Sequence, residues 1–154
     1  MRTSAAGLAL IEDVEGRRHK AYQDGGGVWT IGVGHTRGVK KGDTATDEQI
    51  DEWLREDAEE AEATILRHIN AKVFMALPQA AWDALVSFVF NLGEQAFVNR
   101  NGSLTGVARA LNAERYEDVP LQMARWIYDN GQRVTGLVRR RVKEIALWNS
   151  GFAA

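Results

Sequence analysis

Residues 14–36 read VEGRRHKAYQDGGGVWTIGVGHT, and the periodicity of the sequence changes within this stretch. Leu8, Ile11 and Val14 recur at the spacing of one helix face, and Gly16 is a typical residue just after a helix end. Beyond it, apolar and β-branched residues alternate on both sides of three consecutive glycines, which is the pattern of a β-hairpin. The stretch therefore predicts a passage from a helix into a hairpin.

The hairpin predicted from Lys20 to Val33 has a definite register if the three glycines form its loop. Such a loop places Tyr22 opposite Thr30, and side chains two residues apart leave the same face of a strand. The predicted open face carries Tyr22, Asp24, Val28, Thr30, Gly32 and Gly34, and the core face carries Trp29, Ile31 and Val33. The glycines on the open face would let a flat sugar ring approach the backbone. A slip of one residue would exchange the two faces.

The rest of the chain is predicted to be helical. The expected elements are a first helix capped by Thr3 or Ser4, a long helix from Thr46 through Ile69, a central helix from Ala80 to Leu92 after Pro78, a helix capped by Ser103 that reaches Leu111, a short helix from Pro120 through Ile127, and a last helix from Gly136 to Asn149 closed by Gly151. The central helix is apolar nearly all round, so it should be buried.

This pattern predicts an α+β, predominantly helical fold in a single domain over residues 1–154. The small α+β lobe is expected over 1–45, a connecting helix over 46–70, and a helical lobe that packs with the first helix over 71–154. A ligand is expected in the cleft between the lobes.

Composition excludes several classes of protein. The chain has 154 residues, no cysteine and three scattered histidines, so we expect no disulfide framework, no thiolate nucleophile and no metal site. The net charge is -2 and there is no groove-reading motif, which argues against nucleic acid binding. The longest apolar run near the amino end, Leu8 to Ile11, is too short for a signal peptide or a membrane span, so we expect a soluble protein. The basic run Arg139 to Arg141 is interpreted as a solvated helix face with one or two salt bridges.

Two carboxylates in the opening stretch indicate acid–base chemistry. Glu15 lies at the carboxyl end of the first helix, where the helix dipole is negative, and this placement favours the raised pKa that a general acid needs. Asp24, in the polar mouth of the hairpin, is expected to stay ionised as a base. Such a pair across a cleft fits glycoside hydrolysis. Two acids this close in sequence also occur by chance, so spacing alone leaves a structural role open.

The same stretch resembles the phage-type lysozymes, glycoside hydrolase family 24. The shared context is E-G, then Y-x-D, then W-T-I-G-x-G-H-T, which here spans Glu15 to Thr36. The segment from Ala84 to Gly93 is similar to the central helix motif of the family, and Arg125-Trp126 and the segment from Gly136 to Trp148 are similar to its carboxyl-terminal signature. The resemblance covers nearly the whole chain and implies a two-lobed lysozyme-like fold.

The resemblance also implies roles for individual residues. Glu15 would be the general acid that protonates the departing glycosidic oxygen, Asp24 would orient and activate the attacking water, and Thr30 would help to hold that water. The candidate substrate-binding residues are Gly34, Phe90 and Asn91. For Phe90, packing in the core is an equally strong interpretation.

Two further side chains are expected near this site. His35 is interpreted as a hydrogen-bonded structural histidine rather than a catalytic imidazole. Arg139 or Arg140 is expected to approach Glu15 and moderate its pKa.

The implied function is that of a monomeric endolysin muramidase that needs no cofactor. It would hydrolyse the β-1,4 bond between N-acetylmuramic acid and N-acetylglucosamine in peptidoglycan with inversion, and we expect the carboxyl spacing of about 6.5 to 9.5 Å that inverting enzymes have. Made in the host cytoplasm and not inserted stably in the membrane, it would depend on a holin to reach the wall. A catalytically silent peptidoglycan-binding module and a lytic transglycosylase, which forms anhydro sugar ends, remain alternatives.

Overall fold

The computed structural model describes residues 1–153 of the chain. Its elements in chain order are α1 (Ala5–Glu15), β1 (Arg18–Gln23), β2 (Trp29–Gly32), α2 (Asp47–His68), α3 (Ala71–Ala76), α4 (Gln79–Leu92), α5 (Gly106–Asn112), α6 (Val119–Met123), β3 (Tyr128–Asp129), β4 (Gln132–Arg133) and α7 (Thr135–Gly151). Short 3-10 helices at Gly93–Ala96 and Tyr116–Asp118 precede α5 and α6. The predicted α+β, predominantly helical fold is confirmed. Over residues 1–153, no helix combines the length and the apolar character that a membrane crossing requires.

Helix α1 begins and ends where the sequence indicates. The Ser4 hydroxyl caps it by accepting a hydrogen bond from the Gly7 N–H at 3.2 Å. At the other end Gly16 has φ +80°, a conformation that favours glycine, and its N–H donates to the Glu12 carbonyl. Glu15 is therefore the last residue of the helix, and the chain turns directly into β1.

The hairpin of β1 and β2 has the predicted register. Tyr22 pairs with Thr30. The Asp24 N–H donates to the Val28 carbonyl at 2.9 Å, so the three glycines form the loop. On the core face Ile31 and Val33 are buried and Trp29 is half-buried.

The strand alternation ends sooner than predicted. Gly32 and Gly34 have φ of +63° and +65°, and Ile31 exchanges two backbone hydrogen bonds with His35 across the turn that contains them. Gly32 is therefore the last residue of β2 and begins a tight turn that contains Gly34, so the predicted continuation of the strand face to Gly34 is wrong. Thr30 is only 4% exposed, so the hairpin face is also more enclosed than the pattern indicates.

Helix α2 packs against both β2 and α4. Thr46 and Gln49 form a reciprocal capping box: the Gln49 N–H donates to Thr46 Oγ1 at 3.2 Å, and the Thr46 N–H donates to Gln49 Oε1 at 3.0 Å. Its 22 residues give it a length of about 33 Å. The apolar side is buried as predicted and includes Ile50, Leu54, Ala58, Ala61 and Ile65.

Helix α4 lies at the centre of the helices. It begins after Pro78 and packs against α1, α2 and α7. Its apolar residues Trp82, Leu85, Val86, Phe88 and Val89 are at most 2% exposed. Because burying each such side chain contributes roughly 1.5–3 kcal/mol, α4 fixes the positions of the three helices around it.

Three features of the helices differ from the prediction. Thr105, not Ser103, caps α5, with its hydroxyl accepting from the Ala108 N–H. The structure contains helix α3, which the sequence pattern does not predict. Helix α7 includes the glycine that was expected to close it.

The chain between α6 and α7 also differs. The helix expected from Pro120 through Ile127 ends at Met123, and the short hairpin of β3 and β4 follows. Beyond the end of α6, the Trp126 carbonyl accepts a hydrogen bond from the Arg141 side chain at 2.9 Å. Such a long-range contact leaves no local pattern.

Candidate active site

Glu15 lies at the end of α1, next to the turn that follows β2. Its carboxylate is paired with Arg140 of α7, and its side chain is 22% exposed. The turn backbone comes so close that a Cβ added to Gly34 would lie 2.8 Å from Glu15 Oε2. Glycine at this position therefore makes room for the carboxylate, which is enclosed but still open to solvent.

Backbone bonds within the hairpin hold Asp24 and Thr30. Asp24 Oδ1 accepts from the N–H groups of Gly26 at 2.9 Å and Val28 at 2.8 Å, and thereby closes the loop. Thr30 Oγ1 donates to the Val28 carbonyl at 3.0 Å. The lone pairs of Thr30 Oγ1 and the Oδ2 atom of Asp24 remain to accept protons from a water molecule.

The charges of both carboxylates act on the Tyr22 phenol. Burial raises its pKa, Arg18 lowers it, and the charges of Glu15 and Asp24 raise it further. The Arg18 guanidinium carbon lies 4.5 Å from the ring centroid. Both carboxylate charges therefore act in the same direction on the pKa of this phenol.

A cavity of about 400 Å³ opens beside Gly34, between the turn after β2, helix α2 and the end of α4. Gly34 and Phe90 line it, whereas Asn91 does not. Phe90 is half-buried and packs against the core, which is one of the two interpretations of this ring; its contact with substrate stays a prediction. The catalytic candidates do not line the cavity, but Glu15 adjoins it through Gly34.

Sequence reasoning missed the ion pairs around this cavity. Arg37 pairs with Glu60, while His68 Nε2 and Arg67 Nη2 lie 2.7 and 3.9 Å from Glu94 Oε1. The hydrogen bond from His68 lowers the pKa of Glu94, partly opposed by desolvation. The helical spacing of charges on α2 shows which residues share a face, but their partners on other elements leave no local signal.

The basic run on α7 is not a solvated face, and that prediction is wrong. Arg140 and Arg141 are 5% and 2% exposed, and only Arg139 of the three is exposed. They point inward because α7 packs along α4, where the fully buried carboxylate of Glu144 accepts hydrogen bonds from both. The predicted approach of Arg140 to Glu15 is confirmed.

Asn91 is held by the second of these arginines. Its amide oxygen accepts a hydrogen bond from Arg141, whose guanidinium carbon lies 4.9 Å from the Phe88 ring centroid. Burial lowers the pKa of Arg141, and the carboxylate of Glu144 opposes this effect. A contact of Asn91 with substrate stays a prediction.

His35 has the structural role that was expected. It is 5% exposed, its Nδ1 lies 2.7 Å from Asp57 Oδ2, and its ring stacks on Trp53 with centroids 4.6 Å apart. Because Asp57 and Trp53 belong to α2, these contacts attach the turn after β2 to that helix.

Comparison with known proteins gives concordant matches. The family model described as Phage lysozyme matches residues 12–144. The endolysin of Acyrthosiphon pisum secondary endosymbiont phage 1 is 38% identical to the chain, and the match covers 97% of this chain and 99% of the endolysin. The crystal structure of the active form of the P1 phage endolysin Lyz has a TM-score of 0.86 and 31% identity, covering 99% of this chain and 88% of that chain. The muramidase domain of SpmX from Asticaccaulis excentricus has a TM-score of 0.79 and 33% identity, covering 96% and 97%.

Proposed function

The chain belongs to the phage lysozyme family, whose members are peptidoglycan-degrading glycoside hydrolases, and we propose that it cleaves the β-1,4 bond between N-acetylmuramic acid and N-acetylglucosamine with inversion. The observation that carries the proposal is the position of Glu15. Its carboxylate adjoins the cavity through Gly34, while Arg140 holds it from within the protein. The name muramidase, given to the SpmX domain, supports the choice of bond.

In the proposed mechanism Glu15 protonates the departing glycosidic oxygen. Proton transfer leaves a carboxylate, and the guanidinium of Arg140 is in contact with that group and stabilises it. The side chains of Arg140 and Glu15 are only 6% and 22% exposed, so the attraction is stronger than at an open surface.

Asp24 and Thr30 are proposed to hold the attacking water. One water proton points to Asp24 Oδ2 and the other to a lone pair of Thr30 Oγ1, whose own proton is donated to the Val28 carbonyl. The free lone pair of the water then faces the anomeric carbon, and Asp24 accepts a proton as the new bond forms. Attack from the side opposite to the leaving group inverts the configuration.

Gly34, Phe90 and Asn91 are proposed to contact the sugars. Gly34 lets a ring approach the backbone, and Phe90 offers an apolar surface; both line the cavity, which supports their roles. Asn91 would contribute a polar group at the end of α4, in an orientation set by Arg141.

Replacement of Glu15 by glutamine tests the central role. Wild type is expected to release reducing ends from purified murein, and the rate of Glu15→Gln is expected to be about 10²- to 10⁴-fold lower, the usual contribution of a general acid. Asp13→Asn is the matched control, because Asp13 lies on the same helix but pairs with Lys143 at the surface. An equal rate for Glu15→Gln and wild type would remove Glu15 from this role.

The products distinguish hydrolysis from the two alternatives. Hydrolysis with inversion gives a fresh α-anomer, detected by NMR, and muropeptides one water heavier by mass spectrometry than anhydro products. Anhydro ends would identify a transglycosylase. Binding to murein without release of any fragment would identify a silent binding module.

We further propose that residues 1–154 act as one monomeric domain, with a small lobe over 1–45, a connecting helix over 46–70 and a helical lobe over 71–154. Helices from both ends of the chain, α1 and α7, pack on α4 in one core, which supports a single domain. Light scattering after gel filtration should give a mass near 17.1 kDa. A stable dimer would contradict the proposal.

The route to the wall is also a proposal. We propose that the protein accumulates in the host cytoplasm and reaches the peptidoglycan after a holin opens the membrane. The relative from the Acyrthosiphon pisum endosymbiont phage is named endolysin, without the SAR prefix that other relatives carry, and this supports the route. Culture turbidity should fall only when a holin is expressed together with the protein. Lysis without the holin would contradict the route.

A further inference from the structure

We propose that Glu144 is a positioning residue of the active site, which holds Arg140 against Glu15 and Arg141 against Asn91. The inference rests on the proposed function, because Glu15 and Asn91 take their roles from it. Glu144 itself lies beneath the site and acts through the two arginines.

The carboxylate of Glu144 is fully buried between α7 and α4. Its Oε2 atom accepts hydrogen bonds from Arg140 Nε at 3.1 Å and from the Ser87 hydroxyl at 2.5 Å. Its Oε1 atom accepts from Arg141 Nη1 at 2.5 Å. Each oxygen therefore serves a different arginine, and Ser87 fixes the plane of the carboxylate from the neighbouring helix.

The orientation of Arg140 is fully determined by these contacts. Besides the bond from Nε to Glu144, Nη2 donates to the Ser87 carbonyl at 2.8 Å and Nη1 donates to Glu15. A guanidinium is planar, so fixing two of its edges fixes the direction of the third. The contact with Glu15 is therefore set by Glu144 and Ser87.

Arg141 forms the second branch. Its Nε donates to the Trp126 carbonyl at 2.9 Å, Nη1 donates to Glu144, and Nη2 donates to Asn91. Negative and positive groups thus alternate from Glu15 through Arg140 and Glu144 to Arg141. This order compensates each buried charge by a neighbour of opposite sign.

Loss of the Glu144 charge would change the electrostatic effect of Arg140 on Glu15. The guanidinium is now shared by two carboxylates, and in Glu144→Gln its attraction would act on Glu15 alone. That change favours the carboxylate of Glu15 over the carboxylic acid that the reaction needs, so the alkaline limb of activity should move to lower pH. Tyr22 on β1, whose pKa is raised by burial and by the charge of Glu15, and Arg18, which lies over the Tyr22 ring, are unchanged in this variant.

The test measures kcat and KM against pH on purified murein fragments for wild type, Glu144→Gln and Glu144→Asp. In Glu144→Gln the alkaline limb should move by about one pH unit, the low end for loss or gain of one nearby charge. Its kcat on that limb should then fall about tenfold, and KM should rise because Asn91 loses its fixed orientation. Glu144→Asp keeps the charge and should restore the position of the limb. A wild-type limb in folded Glu144→Gln would overturn the proposal, as would a lower kcat without any movement of the limb.

A second variant covers the case in which Glu144→Gln does not fold. The double variant Arg141→Gln/Glu144→Gln removes one charge of each sign, so the core stays neutral, yet Arg140 again has Glu15 as its only anionic partner. A smaller movement of the limb in the same direction is expected, because loss of the Arg141 cation, which is last in the order that starts at Glu15, offsets part of the effect of losing Glu144. A wild-type limb in both variants would overturn the positioning role. If wild type itself released no reducing ends, the proposed function would fail instead, so the two failures are distinguishable.

Discussion

The two carboxylates of the proposed site are held in opposite ways. The Glu15 carboxylate is held by Arg140, which lies 125 positions further along the sequence and is itself 5% exposed. Asp24 is exposed, and its Oδ1 atom is held by N–H groups two and four residues further along the chain. The environment of the proposed acid is thus a property of the packed helices, whereas that of the proposed base is a property of one short loop.

This difference separates catalysis from stability. Changing the hairpin carboxylate should affect chemistry and leave the fold intact, because the loop needs only an oxygen acceptor at that position. Changing the network beneath Glu15 should affect the fold as well, because buried charges would lose their partners. Four substitutions test this contrast.

The largest effect on rate with the smallest effect on folding is expected for Asp24→Asn. The amide oxygen can still accept both loop hydrogen bonds, but the amide cannot take a proton from water, so kcat should fall about 10²- to 10⁴-fold. The free energy of unfolding should stay within about 0.5 kcal/mol of wild type. Asp43→Asn is the control, since Asp43 Oδ2 also accepts a loop N–H, from Lys40 at 2.8 Å. A parallel loss of stability in Asp24→Asn would mean that the loop, not the chemistry, had failed.

The opposite result is expected for Arg140→Met. This change leaves Glu144 and Glu15 without a shared cation, and breaking a buried pair from one side costs about 3–5 kcal/mol of unfolding free energy. Arg17→Met is the comparison at the surface side of α1, where Arg17 pairs with Glu12, Asp47 and Asp51. There we expect a loss of at most about 1 kcal/mol. Urea unfolding measures both, and equal losses would contradict the contrast between buried and exposed pairs.

The same contrast explains how much of the site could be predicted from the sequence. The cap at Ser4, the end of α1 at Gly16 and the pairing of Tyr22 with Thr30 follow from neighbours in the chain, and all three are confirmed. The turn that begins at Gly32 and contains Gly34 does not follow from the pattern, because a two-residue alternation looks the same until φ becomes positive.

The network on α7 could not be read from local pattern. Three consecutive arginines are typical of an exposed face, because arginine is rarely fully buried unless it is paired. The partners of Arg140 and Arg141 lie on α1, on α4 and one turn along α7, and they become visible only when α7 is packed on α4. The family resemblance indicated that Arg139 or Arg140 approaches Glu15, but not the role of Glu144.

An intermediate effect is expected for Gly34→Ala, because Gly34 lies in the turn after β2 and directly beside the Glu15 carboxylate. Alanine there must adopt φ +65°, which costs about 1–2 kcal/mol, and its Cβ would lie 2.8 Å from Glu15 Oε2. Displacing the carboxylate by about 1 Å should lower kcat about 10²-fold. Gly38→Ala carries the same backbone cost at φ +71° but has no atom within 4 Å of the added Cβ. Both variants should lose similar stability, and only Gly34→Ala should lose activity; equal activities would show that the close approach to Glu15 is unimportant.

The smallest effect is expected for Asp47→Asn, at the exposed junction between α2 and the hairpin. Asp47 Oδ1 lies 2.7 Å from His19 Nε2 and 2.9 Å from Arg17 Nη1. These contacts, His19 first and Arg17 second, lower the pKa of Asp47. A carboxyl group whose pKa is lower in the folded state stabilises the fold above its unfolded pKa of about 3.9, and this contribution is lost as the pH falls through the folded value.

Wild type should therefore melt at a slightly higher temperature than Asp47→Asn at pH 5, and the difference should shrink as the pH is lowered below about 3.9. Added salt should reduce it too, because both partners of Asp47 are at the surface and are screened. Glu48→Gln is the control, since Glu48 shares the first turn of α2 and its helix dipole but not these contacts. A difference in melting temperature that grew as the pH fell would contradict the assigned direction of the shift.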